Sequence, residues 1–153
     1  MTDAVILVGG RGKRLGKLTL NTPKPLIKIN NKRFLDILLK KILILKINKI
    51  YLLCSYKKEQ FFKRYHLKKI NNCKIICIDE GRQKDTGGAL YKIKDKIKSN
   101  FFLYNGDTYL DLNANRLSKF NKNNSLGTMA ITKNINYKKN KKKKNIKIDK
   151  LGF

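Results

Sequence analysis

Five consecutive apolar residues, Ala4-Val5-Ile6-Leu7-Val8, are closed by Gly9-Gly10 near the start of the chain. A strand with one solvated face alternates apolar and polar side chains. An unbroken run therefore reads as a strand covered on both faces, the central strand of a parallel sheet. The pattern then repeats. Residues 34 to 46 place Phe34, Leu38, Ile42 and Leu45 at helical spacing between lysines, an amphipathic helix. Ile50 to Cys54 is a second apolar run, 57 to 66 a second charged helix, and Lys74 to Ile78 a third strand of β-branched character. A helix opening at Gly87-Gly88 and reaching about Ile97 precedes a fourth strand, Phe101 to Tyr104, which ends in Asn105-Gly106-Asp107. Residues 126 to 132 and 145 to 149 read as two further strands.

Strictly alternating strands and helices predict an α/β architecture of Rossmann-like type, a mostly parallel sheet with helices on both faces and right-handed crossovers. In such sheets ligands bind beyond the carboxyl ends of the strands, where the polar loops after strands one, three and four should meet. At 153 residues and 41% hydrophobic, the chain reads as a single domain, 1–153.

Several function classes are disfavoured by composition. The most apolar segment, Phe34 to Cys54, is interrupted by Lys40, Lys41, Lys46 and Lys49, so a membrane span is not expected. Met1-Thr2-Asp3 runs straight into the first strand without the basic start and cleavage site of an export signal, which predicts a cytoplasmic protein. Cys54, Cys73 and Cys77 lack metal-ligand spacing and read as reduced, buried side chains, and His66, the single histidine, as a helix-end residue. The net charge of +27 invites a nucleic-acid reading. Lysines are scattered through every element, however, and the one dense basic run, Lys138 to Lys147, has only the neighbouring Tyr137 for base stacking, which favours a solvated loop. The oligomeric state stays open, a homo-oligomer included.

Chemistry concentrates in the loops. Gly9-Gly10-Arg11-Gly12-Lys13-Arg14-Leu15 follows the first strand, and its glycines allow backbone N–H groups to approach phosphate while its cations add charge. A plain glycine-rich turn is the competing reading. A Walker A loop is disfavoured because Gly16-Lys17 is followed by Leu18 rather than a hydroxyl residue, and a dinucleotide fingerprint because Leu15 occupies its third glycine position. Pro23-Lys24-Pro25-Leu26 stiffens the backbone on either side of one lysine, giving a fixed cation suited to a transferring phosphate. Asp107 places a hard oxygen ligand for Mg²⁺ at the same sheet edge, although an Asp after Gly also forms turns.

Together, Gly9 to Leu15, Pro23 to Pro25, Thr86 to Ala89 and Asn105 to Asp107 resemble, in order and spacing, the signatures of the sugar-1-phosphate nucleotidyltransferase family. The resemblance covers residues 1 to about 135. It implies the nucleotide-diphospho-sugar transferase fold, an NTP and a sugar 1-phosphate as partners, and Mg²⁺ as cofactor. The implied nucleotide-binding residues are Leu7, Val8, Gly9, Gly10, Arg11, Gly12, Lys13, Glu80, Thr86, Gly87 and Gly88. Arg14 and Lys24 would steady the α-phosphate and the departing pyrophosphate, and Asp107 would bind Mg²⁺. Lys13 stands where the family usually has Thr, and Asp85 where a Gly often precedes Thr86. The family's sugar-binding Glu-Lys motif and second metal-binding carboxylate lie on later strands, so the chain is expected to be the N-terminal, nucleotide-binding part of a longer protein.

Within the family, Lys24-Pro25-Leu26-Ile27, Thr86 to Leu90 and Asn105 to Tyr109 are most similar to D-glycero-D-manno-heptose 1-phosphate guanylyltransferases. Mannose-1-phosphate guanylyltransferases and N-acetylmuramate-1-phosphate uridylyltransferases share Leu18-Thr19 and Pro23 to Pro25. Glu80 lies near the base-contacting position, where a carboxylate accepts the N1–H and amino hydrogens of guanine, which favours GTP. The product would then serve lipopolysaccharide or another cell-surface polysaccharide. Two rival readings stand beside this one: a non-catalytic nucleotide-binding or regulatory domain of the same fold, and a basic nucleic-acid-binding protein.

Overall fold

The computed structural model describes residues 2–82, 85–111, 117 and 126–130. The chain divides into two compact units, Met1–Leu112 and Asn113–Phe153, and the architecture below is that of the first. It runs β1 (Thr2–Leu7), two 3₁₀ segments (Lys13–Thr19 and Lys24–Leu26), β2 (Lys28–Ile29), β3 (Lys32–Arg33), α1 (Phe34–Ile42), β4 (Ile47–Cys54), α2 (Lys58–Tyr65), β5 (Lys69–Ile70), β6 (Cys73–Asp79), α3 (Thr86–Tyr91) and β7 (Phe101–Asn105).

The sheet has the order β5-β6-β4-β1-β7, parallel throughout except for β5, which pairs antiparallel with β6. Val5 lies between Tyr51 of β4 and Leu103 of β7. The apolar run is therefore central, as its lack of alternation requires. The chain winds outward from β1 through β4 to β6, then returns across β1 to place β7 on its far side. This reversal is the topological switch at which open α/β sheets carry their ligand crevice.

Helices cover both faces. Ala4, Ile6, Leu52, Cys54 and Ile75 pack with Leu35, Leu38, Leu39 and Ile42 of α1 and Phe61 of α2. Val5, Tyr51 and Leu53 point the other way, against Ala89 and Ile93. The Tyr65 hydroxyl donates to Asp36 Oδ1 at 2.6 Å, tying α2 to α1, and burial pushes its phenol up, with Asp36 adding to the effect. The three cysteines are free and buried; His66 closes α2, its backbone N–H donating to Phe62 O at 3.2 Å, while its Nδ1 accepts from the Cys77 N–H of β6 at 3.1 Å. No helix among the described residues is long and apolar enough to cross a membrane.

Some boundaries differ from the sequence pattern. The first helix stops at Ile42 rather than 46, because the chain turns through Leu43–Lys46 to seat Ile47 beside Thr2 at the start of β4. Regular helix in α3 ends at Tyr91. The turns onward to Ile97 are held mainly by i→i+3 bonds, such as Lys96 N to Ile93 O, around the single buried anchor Ile93. Two hairpins were not anticipated, β2–β3 and β5–β6, each turning on an Asn-Asn pair with positive φ (Asn30 48°, Asn31 62°; Asn71 48°, Asn72 63°). Of the strand expected at 126–132, the described residues 126–130 carry none: Leu126 and Met129 are exposed, without the ladder partner a strand needs. The strand expected at 145–149 and the basic run 138–147 lie outside the described residues.

Candidate functional site

A cavity of about 600 Å³ opens at the carboxyl edge of the sheet, at the switch point beyond the paired ends of β1 and β7. Its walls come from four segments: Leu7 to Leu15 after β1, Lys24 and Pro25, Glu80 at the end of β6, and Asn105 and Asp107 at the end of β7, with Thr86 and Ala89 of α3 closing the side.

The glycine-rich loop leaves β1 and folds back on itself. Gly12 sits at φ 67°, and a Cβ there would also meet Lys24 Cβ at 3.0 Å and Thr19 Cγ2 at 3.2 Å, so only glycine fits without displacing both. The Thr19 hydroxyl, 3% exposed, lies 3.1 Å from Gly12 O and 3.2 Å from Gly16 O and staples the loop from inside. Lys13, Arg14 and Leu15 then form the first turn of the 3₁₀ segment and face the cavity.

Lys24 is held by its neighbours. Pro23 O accepts from Leu26 N at 2.8 Å, Lys24 O accepts from Ile27 N at 3.2 Å, and Pro25 and Leu26 are buried against the core. The ammonium, on this fixed stem, reaches Asp107 Oδ2 at 2.7 Å. Gly106 N donates to Leu7 O at 2.9 Å, extending the β1–β7 ladder by one step and presenting Asp107 at the edge. Burial pushes the Asp107 carboxyl up, but the Lys24 hydrogen bond and charge, with help from the Thr108 hydroxyl, more than reverse this and hold it below the ordinary carboxylate value.

Glu80 is a buried carboxylate at 3% exposure, carried on a backbone whose N–H donates to Cys54 O at 2.9 Å. Its Oε1 lies where a Cβ on Gly9 would be only 2.6 Å away, so the bare glycine backbone is what admits it to the cavity wall. Burial raises its pKa, and the charge of neighbouring Asp79 raises it further.

Of the fourteen residues assigned from sequence, Leu7, Val8, Gly9, Gly10, Gly12, Lys13, Arg14, Lys24, Glu80, Thr86 and Asp107 line this one cavity. Arg11 does not: its guanidinium lies over the Tyr56 ring, 5.7 Å from the centroid. Gly87 and Gly88 lie in the first turn of α3, behind Thr86 and outside the lining. Leu15, Pro25, Ala89 and Asn105 line the cavity without having been singled out, although each belongs to or adjoins a motif that was. Tyr56 carries no local signal, because the carbonyls that its hydroxyl meets, Thr19 O and Leu20 O, lie 37 and 36 residues away.

No cluster of three or more His, Cys, Asp or Glu occurs among the described residues. Asp107 alone fits a Mg²⁺ ion held chiefly by phosphate oxygens and water, the usual arrangement when the substrate is a triphosphate.

Comparison with known proteins is consistent with this geometry. The family model for nucleotidyl transferases matches residues 3–143. The bifunctional protein GlmU of Methanocaldococcus jannaschii is 38% identical over 69% of this chain and 24% of its own length. The D-glycero-alpha-D-manno-heptose 1-phosphate guanylyltransferase of Campylobacter jejuni is 34% identical over 84% of this chain and 57% of its own. HddC from Yersinia pseudotuberculosis, solved with GMP-PN, superposes with a TM-score of 0.69 at 32% identity, covering 78% of this chain and 54% of HddC. The chain thus spans roughly a quarter to somewhat over half of the length of these relatives. With the family model matched over residues 3–143, the chain belongs to the nucleotidyl transferase family.

Proposed function

We propose that this chain is the nucleotide-binding part of an enzyme that transfers a nucleoside monophosphate from GTP to a sugar 1-phosphate in the cytoplasm, releasing pyrophosphate. The observation that carries the reading is the convergence of the glycine loop, Lys24, Asp107 and the buried Glu80 on one cavity at the sheet's switch point.

The loop backbone and Arg14 would cradle the triphosphate, and Lys24 would leave Asp107 for the α-phosphate. A sugar phosphate oxygen attacks the α-phosphorus, and the bond to the β-phosphate breaks, its electron pair leaving with pyrophosphate. No protein nucleophile is required. Catalysis then rests on positioning and on neutralising charge between two anions, the work of fixed cations. Bound Mg²⁺, held on the protein side by Asp107, would supply further neutralisation of the triphosphate. Glu80, once ionised, offers two acceptors to the N1–H and amino hydrogens of guanine. Guanine is also supported by the name of the Campylobacter relative and the GMP-PN in the Yersinia structure.

The test is pyrophosphate release by purified protein with Mg²⁺, a panel of nucleoside triphosphates, and sugar 1-phosphates including heptose and mannose. Release should require GTP and a sugar phosphate and vanish in Asp107→Ala and Arg14→Ala. A second reading is a non-catalytic nucleotide-binding or regulatory part of the same fold, since a fold does not by itself fix turnover. It predicts GTP raising the melting temperature with no pyrophosphate released.

A further inference from the structure

Tyr56 follows β4 at the turn into α2 and belongs to none of the motifs above, yet it touches the phosphate loop at three points. Its backbone N–H donates to Gly9 O at 3.3 Å. Its hydroxyl meets two carbonyls at the far end of the loop, Leu20 O at 2.7 Å and Thr19 O at 2.9 Å, and donates its single proton between them. Its ring lies beneath Arg11 and Lys57, whose charged groups are 5.7 and 5.8 Å from the centroid. One turn further on, Gln60 Nε2 donates to Asn21 O at 2.8 Å.

We infer that Tyr56, seconded by Gln60, is a positioning residue that clamps both ends of the glycine-rich loop onto the rigid end of β4 and so sets the loop's phosphate-binding shape. The loop needs such a clamp. Inside it, Gly12 and Gly16 both have positive φ, and the 3₁₀ segment is broken at Gly16, so its own hydrogen bonds are few and local. Thr19 staples the loop to itself but to nothing outside. The bonds from Tyr56 and Gln60 tie residues 19–21 to the β4–α2 turn and to the first turn of α2, immediately before Pro23 and Lys24. Arg11, drawn over the ring, fixes the tip of the loop by the attraction of a cation for an aromatic face. The inference rests on the reading of this loop as a triphosphate cradle, but the clamp itself can be tested without nucleotide.

Three proteins are compared: wild type, Tyr56→Phe, which removes the hydroxyl and keeps the ring, and Gln60→Ala. Amide hydrogen exchange of the segment 9–22 is followed without ligand, and the dissociation constant of Mg²⁺-GTP and the melting temperature are measured on the same samples. The clamp predicts exchange across 9–22 about five- to tenfold faster in Tyr56→Phe, the effect expected of one lost hydrogen bond, with exchange in β1 and β4 unchanged. Gln60→Ala should move in the same direction by less. GTP affinity should fall about fivefold at a melting temperature within a degree or two of wild type. A merely structural tyrosine would lower the melting temperature and speed exchange everywhere alike. That result, or wild-type exchange at 9–22 in both variants, would overturn the inference. Wild-type protein that binds no GTP would instead count against the proposed function, leaving the exchange comparison to decide on the clamp.

Discussion

Lys24 Nζ lies 2.7 Å from Asp107 Oδ2, a pair that spans 83 residues of sequence and closes across the cavity between the Pro-Lys-Pro segment and the end of β7. The two groups proposed to serve phosphate and metal therefore neutralise each other here. A new partner for either group frees the other, so triphosphate and divalent cation should favour each other's binding modestly. With Lys24→Met, Asp107 loses its competitor, and Mn²⁺ binding without nucleotide, followed by electron spin resonance, should strengthen by no more than about fivefold, the worth of a partly exposed pair. GTP binding should fall at the same time.

The same pair predicts a small, pH-dependent stability effect. Both side chains are partly exposed, 37% for Lys24 and 43% for Asp107, so Asp107→Asn should cost no more than about 1 kcal/mol in urea unfolding at pH 7. The Asp107 carboxyl is held below its ordinary value. Its contribution is thus present above the unfolded-state pKa and lost as pH falls through the folded one. The difference between wild type and Asp107→Asn should shrink on acidification below about pH 4.

Glu80 carries the opposite sign. Burial, then the charge of Asp79, raises its pKa, so its contribution is fully present at low pH and lost as pH rises through the folded value. Glu80→Gln keeps the shape and removes the charge. It should stabilise the ligand-free protein by about 1 kcal/mol near pH 7, with the gain vanishing toward pH 4 in paired denaturation curves. The same substitution should weaken GTP binding about tenfold or more, since an amide cannot accept both guanine hydrogens. Equal loss of UTP and GTP affinity would remove Glu80 from base recognition.

What could be read in the sequence follows from which interactions are local. The run Ala4 to Val8 declared a strand covered on both faces because burial leaves no alternation, and it occupies the centre of the sheet. Gly9, Gly10, Gly12, Lys13, Arg14, Lys24, Glu80 and Asp107 could be placed at one edge because parallel strands put all their carboxyl ends together. The Asn-Asn hairpins were missed since two-residue strands show no period, although consecutive asparagines mark the paired positive φ of a tight turn. The order β6-β4-β1-β7 and the Tyr56 contacts were illegible for another reason: each depends on which distant segments meet.

Asn72 gives a local check on those hairpins. At φ 63° it pays the steric penalty of the left-handed region that glycine avoids, and it sits at the exposed edge of the sheet, between β5 and β6. Asn72→Gly should leave stability within about 0.5 kcal/mol of wild type, relief of strain offsetting the greater freedom of the unfolded chain, whereas Asn72→Val should destabilise by about 1–2 kcal/mol in urea unfolding. Equal stability of the valine variant would mean that the turn relaxes to another shape.

Gly9 offers the sharpest separation of binding from folding. A methyl group there would lie 2.6 Å from Glu80 Oε1 and 3.1 Å from Ser55 Cβ, too close to both. The carboxylate is the end of a flexible side chain and can swing aside, while the Ser55 Cβ can yield only by backbone movement. Gly9→Ala should therefore cost about 1–3 kcal/mol of stability, the usual penalty of overpacking, and expel the carboxylate from its place on the cavity wall. Restoring room with Gly9→Ala/Glu80→Ala should recover part of the stability but not the affinity for GTP. A double-mutant cycle on urea unfolding measures the first as a coupling of about 1 kcal/mol between the two sites. Nucleotide titration of the same four proteins measures the second. Additive stability changes would mean that Glu80 does not rest against Gly9, while GTP affinity surviving in the double variant would mean that the base is held by other residues.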